Sequence, residues 1–406
     1  MFVGWDWASE THDITVLDTA GEVIDRWALR HDAEGLDAAI RRLASHDTAA
    51  DLPVAIETTS GLVVDRLLAA GHPVVPIHPN AFNAARPRWG ASRAKSDPGD
   101  SYKLADYLRT DGHRQRRLEP LDAATAELQA LSRLRDDHVE AKVAAANQLA
   151  ALLGRHWPGG AAIFARLDSE IALAFLDDYP TPASAARLGE ARMKMFCRRH
   201  SYCGRRRPAE LLERLRSAPE PTQVLSPEIL AELVRAQVRL LRTLLATIAD
   251  LDRAMGAALL EHAKAQLLAP MPRIGEVNLA QIIAEVGPIL ARAVDVEHAC
   301  AEVGASPVTK ESGKGRAVTF RWAVNTKARQ ALSTFADNSR HASPWAAQLY
   351  ADARRRGKRH PHAIRILMRA WTRVIWACWH TDTVYDPTNH GAERRLTHNK
   401  SEKPVA

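Results

Sequence analysis

The stretch Phe2-Val3-Gly4-Trp5-Asp6 decides how the chain is read. A short apolar run bounded by polar residues reads as a buried strand, and this one closes on a carboxylate. An acid at the end of a buried strand is costly unless something cationic meets it. Working outward, Asp13-Ile14-Thr15-Val16-Leu17-Asp18 alternates, Thr19-Ala20-Gly21 is a turn, and Glu22-Val23-Ile24-Asp25-Arg26-Trp27 follows. These segments predict an antiparallel meander of three strands. Leu36, Ile40 and Leu43 mark an amphipathic helix. Leu52 to Glu57 is a fourth strand that again ends on an acid, residues 61–70 are helical, and Pro73 to Ile77 is a fifth strand.

Three meandering strands followed by alternating helix and strand is the element order of the α/β ribonuclease H-like fold. In it the first and fourth strands are neighbours, so Asp6 and Glu57 are expected side by side. Two more acids follow in Lys95-Ser96-Asp97-Pro98-Gly99-Asp100-Ser101. On local grounds Asp97 is a helix N-cap with Pro98 at the first helical position, and Asp100 is a first-turn acid favoured by the helix dipole. Their spacing of three also puts both near one helical face, which shared metal ligation requires. Four converging acids repel one another unless hard cations hold them, and two Mg2+ ions about 4 Å apart are a common arrangement in phosphoryl chemistry.

At 406 residues the chain is long for one core and is expected to hold two or three folded units. The net charge of +7 and pI near 9.4 are concentrated at Arg198-Arg199-His200, Arg205-Arg206-Arg207 and Arg354 to His360. Clusters of this kind point to a polyanion, nucleic acid before membrane; solvated helix faces are the plainer account of any one of them. Four scattered cysteines exclude a disulfide framework and point to a reducing cytosol. Cys197 to Cys203 has half the ligands of a zinc site and no second pair at metal spacing. No apolar stretch approaches a membrane span, and the chain opens on a strand without a signal peptide.

In the middle, Leu121, Leu128, Leu131, Leu134, Val139, Val143, Leu149 and Leu153 recur near heptad spacing. A second long helix, capped at Ser226-Pro227, carries Ile229, Leu233, Leu241, Leu244, Leu245, Ile248, Leu251 and Met255. The two predict an antiparallel pair or a coiled coil between subunits. Between them, about 157–221 reads as a small helical insert bearing Arg198 to Arg207, with Tyr202 available for stacking, or as a plain spacer. Further on, Pro272 to Ala280 has the pattern of a helix-hairpin-helix turn, and a Gly-containing turn between packed helices has the same pattern. Gly304 to Arg316 lacks the Gly-Lys-Ser/Thr ending of a P-loop. Ser312 reads either as a surface-loop residue or as a nucleophile on a flexible loop, with Lys314, Arg316 and Arg321 stabilising a phosphorane and Lys327 and Arg329 adding charge. No histidine–aspartate pair accompanies it, which argues against a protease triad. Leu367 to Cys378 gives one more apolar helical face, and the polar tail 387–406 reads as disordered.

Taken together, residues 1–385 resemble the transposases of the insertion-sequence family numbered one hundred and ten, the bridge-RNA-guided recombinases. The resemblance rests on Gly4-Trp5-Asp6, Ile56-Glu57-Thr58-Thr59-Ser60-Gly61 and Lys95-Ser96-Asp97 through Asp100, then Gly304 through Pro307 and Ser312-Gly313. It implies a RuvC-like domain over 1–115, coiled-coil helices over 116–265 and a mainly α serine transposase domain over 266–386. It further implies that Asp6, Glu57, Asp97 and Asp100 bind Mg2+ and that Ser312 attacks a DNA phosphodiester to form a transient phosphoserine link. The implied partners are donor and target DNA, a structured guide RNA and further copies of the chain as a dimer or tetramer, in the cytoplasm at the nucleoid. Arg198, Arg199, Arg205, Arg206 and Arg207 become candidate RNA-backbone contacts, beside Lys314, Arg316, Arg321, Lys327 and Arg329 at the serine. Two other readings compete: a RuvC-type junction-resolving nuclease in which carboxylates alone hydrolyse DNA, and a non-catalytic nucleic-acid-binding descendant.

Overall fold

A computed structural model describes residues 1–90, 97–221, 225–313 and 315–388, without the side chains of Asp97 and Arg316. The chain divides into two compact units, Met1–Leu121 and Asp122–Ala406. The first contains β1 (Phe2–Trp7), β2 (Thr11–Leu17), β3 (Val23–Arg30), α1 (Ala33–Ala44), β4 (Val54–Ile56), α2 (Leu62–Ala69), β5 (Val74–Pro76), α3 (Pro79–Ala85) and α4 (Asp97–Asp111). Its five strands run in the order β3-β2-β1-β4-β5. β1 pairs antiparallel with β2 and parallel with β4, giving the mixed sheet expected of a ribonuclease H-like domain.

Side-chain alternation sorts the two faces. Val3, Trp5, Val54, Ile56 and Val74 point to one side, into a core shared with Leu36 and Leu43 of α1 and Val63, Val64 and Leu67 of α2. Ala55 and Val75 point to the other, against Phe82 of α3 and Leu104 and Leu108 of α4. Burial on both faces explains why β4 and β5 read as continuous apolar runs. Gly4 lets α4 lie directly on β1: a Cβ there would come within 1.9 Å of the Ser101 carbonyl oxygen and 2.4 Å of the Ala105 nitrogen. Thr15 of β2 and Ser101 of α4 tie the helix to the neighbouring strand by a buried 2.8 Å hydroxyl hydrogen bond.

The second unit is built on α5 (Ala123–His156) and α11 (Pro227–Glu261). Between them lies an insert that holds, among the described residues, five helices, α6 (Pro158–Ala162), α7 (Glu170–Asp178), α8 (Pro182–Ala185), α9 (Glu190–Arg199) and α10 (Pro208–Arg216). The long helices run antiparallel within the chain. Leu128 meets Met255 and Leu259 at one end, and Leu149 and Leu153 meet Leu230 and Val234 at the other. Here the expected seam needs correction. Leu134, Val143, Ile229 and Leu233 are exposed, and Leu230, Val234 and Val238 are buried in the place of Ile229 and Leu233. A run containing both Ile229 and Leu230, and both Leu233 and Val234, offers two stripes, and the insert covers only one.

The C-terminal core contains α12 (Ala265–Leu268), α13 (Glu276–Gln281), a π-helical turn at Ile282–Val286, α14 (Gly287–Arg292) and α15 (Val296–Glu302). It is completed by α16 (Thr326–Ser339), α17 (Pro344–Arg355) and α18 (His360–Thr381), gathered around Trp371, Phe335 and Leu332. The Pro272–Ala280 stretch turns between α12 and α13, with Arg273 in the left-handed region. A hairpin of β6 (Val308–Ser312) and β7 (Gly315–Thr319) projects between α15 and α16. This corrects the flexible loop expected around Ser312. Val308 and Thr309 on one strand and Val318 and Thr319 on the other are β-branched residues at the hairpin's base, and a two-residue link containing glycine favours a hairpin. The expected disordered tail, from residue 389 on, lies outside the described residues.

Candidate active site

Three of the four expected acids are described with their side chains, all in the first unit. Trp5 pairs with Ile56 in the parallel β1–β4 register, so Asp6 and Glu57 leave adjacent strands at the same edge. Asp100 lies in the first turn of α4, 3% exposed, held over β1 by the close contact at Gly4. The Asp97 backbone begins α4, and its side chain lies outside the described residues.

The cation that these acids require is Arg86, which no motif in the sequence singles out. It follows α3 directly, and its guanidinium donates to both Asp100 oxygens, at 3.0 and 2.7 Å. Lys103 Nζ donates to the same carboxylate at 2.9 Å. Arg86 is oriented by Asn83, whose side-chain oxygen accepts from Nε at 3.0 Å, and by the Phe82 ring, 4.8 Å from the guanidinium carbon. The hydrogen bonds to Asp100 raise the Arg86 pKa most, against the pull of burial, and the charges of Asp100, Glu57 and Asp6 add to the rise. Burial pushes the Asp100 carboxyl up, but the bonds from Arg86 and Lys103 outweigh it and hold the group below its ordinary value. Asp6, Glu57 and Asp100 therefore share the field of one guanidinium. One signal could have found it: a buried strand ending in an acid calls for a cation, and Arg86 lies between β5 and α4.

The donor chemistry, carboxylate oxygens alone, suits a hard divalent ion. Among the described residues no three His, Cys, Asp or Glu side chains stand close enough to share a metal ion. The convergence of Asp6, Glu57 and Asp100 is thus electrostatic, around Arg86. The same observation leaves the Cys197–Cys203 segment without a described metal cluster.

In the second unit Ser312 is exposed and ends β6, opposite Gly315. Gly313 follows with φ of 55°. Lys314 lies outside the described residues, as does the Arg316 side chain. Arg321 is tied to the base of the hairpin, donating from Nε to the Ser306 carbonyl at 3.2 Å. Arg329 donates to the Arg321 carbonyl at 2.7 Å and stacks on Phe320. Lys327 faces Asp136 of α5 at 3.6 Å. In the insert, Arg198, Arg205 and Arg206 are exposed, Arg199 pairs with Asp178, and Arg207 pairs with Glu210 at 2.8 Å. Arg205 and Arg206 line a groove with Tyr202, whose ring rests edge-on against Phe164.

Comparison with known proteins agrees with this arrangement. A family model for DEDD transposases of the IS110 type, described as Transposase, matches residues 3–158. A second, described as Transposase IS116/IS110/IS902 family, matches residues 265–351. The chain is 33% identical over 399 residues to the Mini-circle putative transposase for IS117 of Streptomyces coelicolor, covering 95% of each chain. It is 28% identical over 301 residues to the insertion element IS110 uncharacterized 43.6 kDa protein of the same organism, 72% of each chain. It is 24% identical over 398 residues to the insertion element IS900 uncharacterized 42 kDa protein of Mycobacterium paratuberculosis, 95% of this chain and 97% of the other.

Proposed function

The chain belongs to the IS116/IS110/IS902 family of transposases, enzymes that cut and rejoin DNA strands, and on that premise we propose that it does so through a serine–DNA intermediate assisted by metal-bound carboxylates. The observation that carries this reading is the convergence of Asp6, Glu57 and Asp100 on one cation at the edge of β1, β4 and α4. Carboxylates that share a guanidinium already favour positive charge between them.

A DEDD domain implies divalent metal dependence; Mg2+, two ions per site, is our assignment, with Asp6, Glu57, Asp97 and Asp100 as the residues that would hold it. The metal would supply charge neutralisation at phosphoryl oxygens. Ser312 Oγ forms a bond to phosphorus as the phosphodiester bond to one deoxyribose oxygen breaks, and the leaving hydroxyl takes up a proton equivalent to the one the serine loses. A second strand's hydroxyl then attacks the phosphoserine, reforms a phosphodiester and returns the serine. No nucleotide is hydrolysed, because each step exchanges one phosphate ester for another. An exposed Ser312 at a hairpin end suits an attack on a bulky duplex.

A structured guide RNA fits the exposed Arg198, Arg205 and Arg206 and the groove at Tyr202. Exposed Leu134, Val143, Ile229 and Leu233 on the paired helices support self-association into a dimer or tetramer. The domain division we assign is 1–115, 116–265 with its insert, and 266–386. Among the described residues no helix is long and apolar enough to cross a membrane, and a DNA substrate supports a location at the nucleoid.

The experiment is a denaturing gel of labelled junction DNA incubated with protein, flanking RNA and Mg2+. A covalent protein–DNA band is expected from the wild type, lost in Ser312→Ala and in Asp6→Ala. Cleaved DNA without an adduct, insensitive to Ser312→Ala yet abolished by Asp6→Ala, would replace this reading with a carboxylate-only nuclease.

A further inference from the structure

At the base of the Ser312 hairpin is a cavity of about 560 Å3, of whose lining only Arg321 has been given a role above. One wall is the 304–307 turn, another is the β7 end with Phe320 and Arg321, and the third is the α18 face carrying Arg365, Arg369 and Arg373. Its volume falls in the range of small-ligand sites, roughly 300–1,000 Å3. Among the described residues no Asp or Glu lines it. Glu297 pairs with Arg369 and Arg373 from outside the lining, whereas Arg365 has no acidic partner among the described residues.

Three observations mark the cavity as built for an anion with an aromatic part. First, Arg329 and Arg365 both lie on the Phe320 ring, with guanidinium carbons 4.5 and 4.9 Å from its centroid. Two cations crowded on one half-buried ring repel each other, a cost that a bound anion removes. Burial most of all, and then the nearby charges of Arg365 and Lys358, hold the His362 imidazole below its ordinary value. Second, Ser306 Oγ and Arg369 Nε are buried without a hydrogen-bond partner. Buried polar groups are rarely left unpaired in the working state of a protein. Third, Trp322, which follows Arg321 in the chain and stands outside the cavity lining, is 80% exposed and packs edge-on against Phe320 of the wall at 4.8 Å, leaving indole surface open for stacking at the cavity's edge.

We propose that this cavity holds one unpaired nucleotide of the DNA strand engaged by the hairpin, its phosphate between Arg365 and Arg321 and its base stacked at Trp322. The choice of DNA rests on the transposase reading and on continuity with Ser312. From Pro307 at the cavity wall to Ser312 is five residues of extended chain, about 17 Å at ~3.4 Å each. That is the axial length of about five base steps of duplex. Base stacking on an aromatic side chain and phosphate contact with arginine are the two sequence-tolerant terms of single-strand binding, so the site distorts DNA without reading its sequence.

The test uses the full chain and duplex DNA carrying one unpaired 2-aminopurine, moved step by step from the cleavage position, with a fully paired duplex and a matched RNA bulge as comparisons. Wild type is expected to bind the bulged DNA at least tenfold more tightly than the paired duplex, with fluorescence quenched most about five steps from the cleaved bond. Arg365→Gln should remove most of that preference, Arg365→Lys should restore part of it, and the exposed Trp322→Ala should abolish the quench with unchanged circular dichroism. No preference for the bulge, or a preference untouched by Arg365→Gln, overturns the proposal. An equal or greater preference for the RNA bulge also overturns it and assigns the cavity to RNA. Ser312→Ala should bind the bulge as wild type does. If wild type forms no covalent adduct yet keeps the bulge preference, the serine mechanism fails and the cavity stands. If it forms the adduct but shows no bulge preference, the serine mechanism stands and the cavity proposal fails.

Discussion

Arg86 grips Asp100 through both terminal guanidinium nitrogens, at 3.0 and 2.7 Å, while standing in the field of Asp6 and Glu57. One side chain thus does for three acids what a metal would do at higher charge. Arg86→Met is expected to tighten Mg2+ binding, read by titration calorimetry, by at least about tenfold, or ~1.4 kcal/mol, because the ion no longer competes with a resident cation. Unchanged affinity would mean that Mg2+ does not use Asp100.

The same pair governs acid stability. Asp100 has a depressed carboxyl in the fold, so its contribution is complete above the unfolded value near 3.9 and is lost as pH falls through the folded one. With Lys103 alone remaining, Arg86→Met should lose roughly 2 kcal/mol at neutral pH without added metal. Its acid transition should also begin at higher pH than that of the wild type. Thermal unfolding followed from pH 6 to pH 3 measures both.

Gly4 is required by sterics and not by turn geometry. Gly4→Ala places a Cβ 1.9 Å from the Ser101 carbonyl oxygen, backbone against backbone. Separation of α4 from β1 is expected, at a cost of about 3 kcal/mol or more, with loss of strand cleavage because Asp100 moves with α4. Denaturant unfolding and the cleavage gel test the two parts separately.

In the second unit Glu285 is 3% exposed within the π-helical turn and takes two bonds from Arg133 of α5, at 2.7 and 3.1 Å. Arg133→Met leaves that carboxylate with the long Asn325 contact of 3.4 Å. We expect destabilisation of about 3 kcal/mol, largely recovered in the double variant Arg133→Met/Glu285→Gln. A double-mutant cycle in urea decides it, and strict additivity would show that the pair is not coupled.

His12 is fully buried between Trp5 and His31, and burial, aided by the charge of His31, lowers its pKa to about 4. The unfolded chain binds the proton first, so stability is complete above about pH 6.5 and falls as pH drops toward 4. The loss approaches ~3 kcal/mol at most. Replacing the ring with phenylalanine should flatten the unfolding midpoint between pH 6.5 and 4.5.

The strand order and the placing of Asp6 and Glu57 at neighbouring strand ends were legible in the chain because each rests on local signals. Apolar runs of strand length, the turn at Gly21 and acids at the ends of the apolar runs of β1 and β4 need no distant partner to be recognised. The Ser312 hairpin was legible in principle from Gly313 between Val308-Thr309 and Val318-Thr319, but the surrounding Lys and Gly gave it the composition of a loop. The seam held at Leu128, Leu149, Leu153, Leu241, Ile248 and Met255, but at the start of α11 it was misplaced by one position, because two adjacent apolar stripes compete there and only the packed insert decides between them.

By itself, then, the sequence determined the α/β order of the first unit, the neighbouring strand ends of Asp6 and Glu57 and the helical character of the second, since period and capping are properties of neighbouring residues. Tertiary structure alone decided that Arg86 meets the acids, that Gly4 must admit α4, and that arginines from α18 face the hairpin base from far along the chain. Each of these is a contact between segments distant in sequence, where no periodicity records which side chains meet. Charge and steric fit select the partner only after the layers have packed.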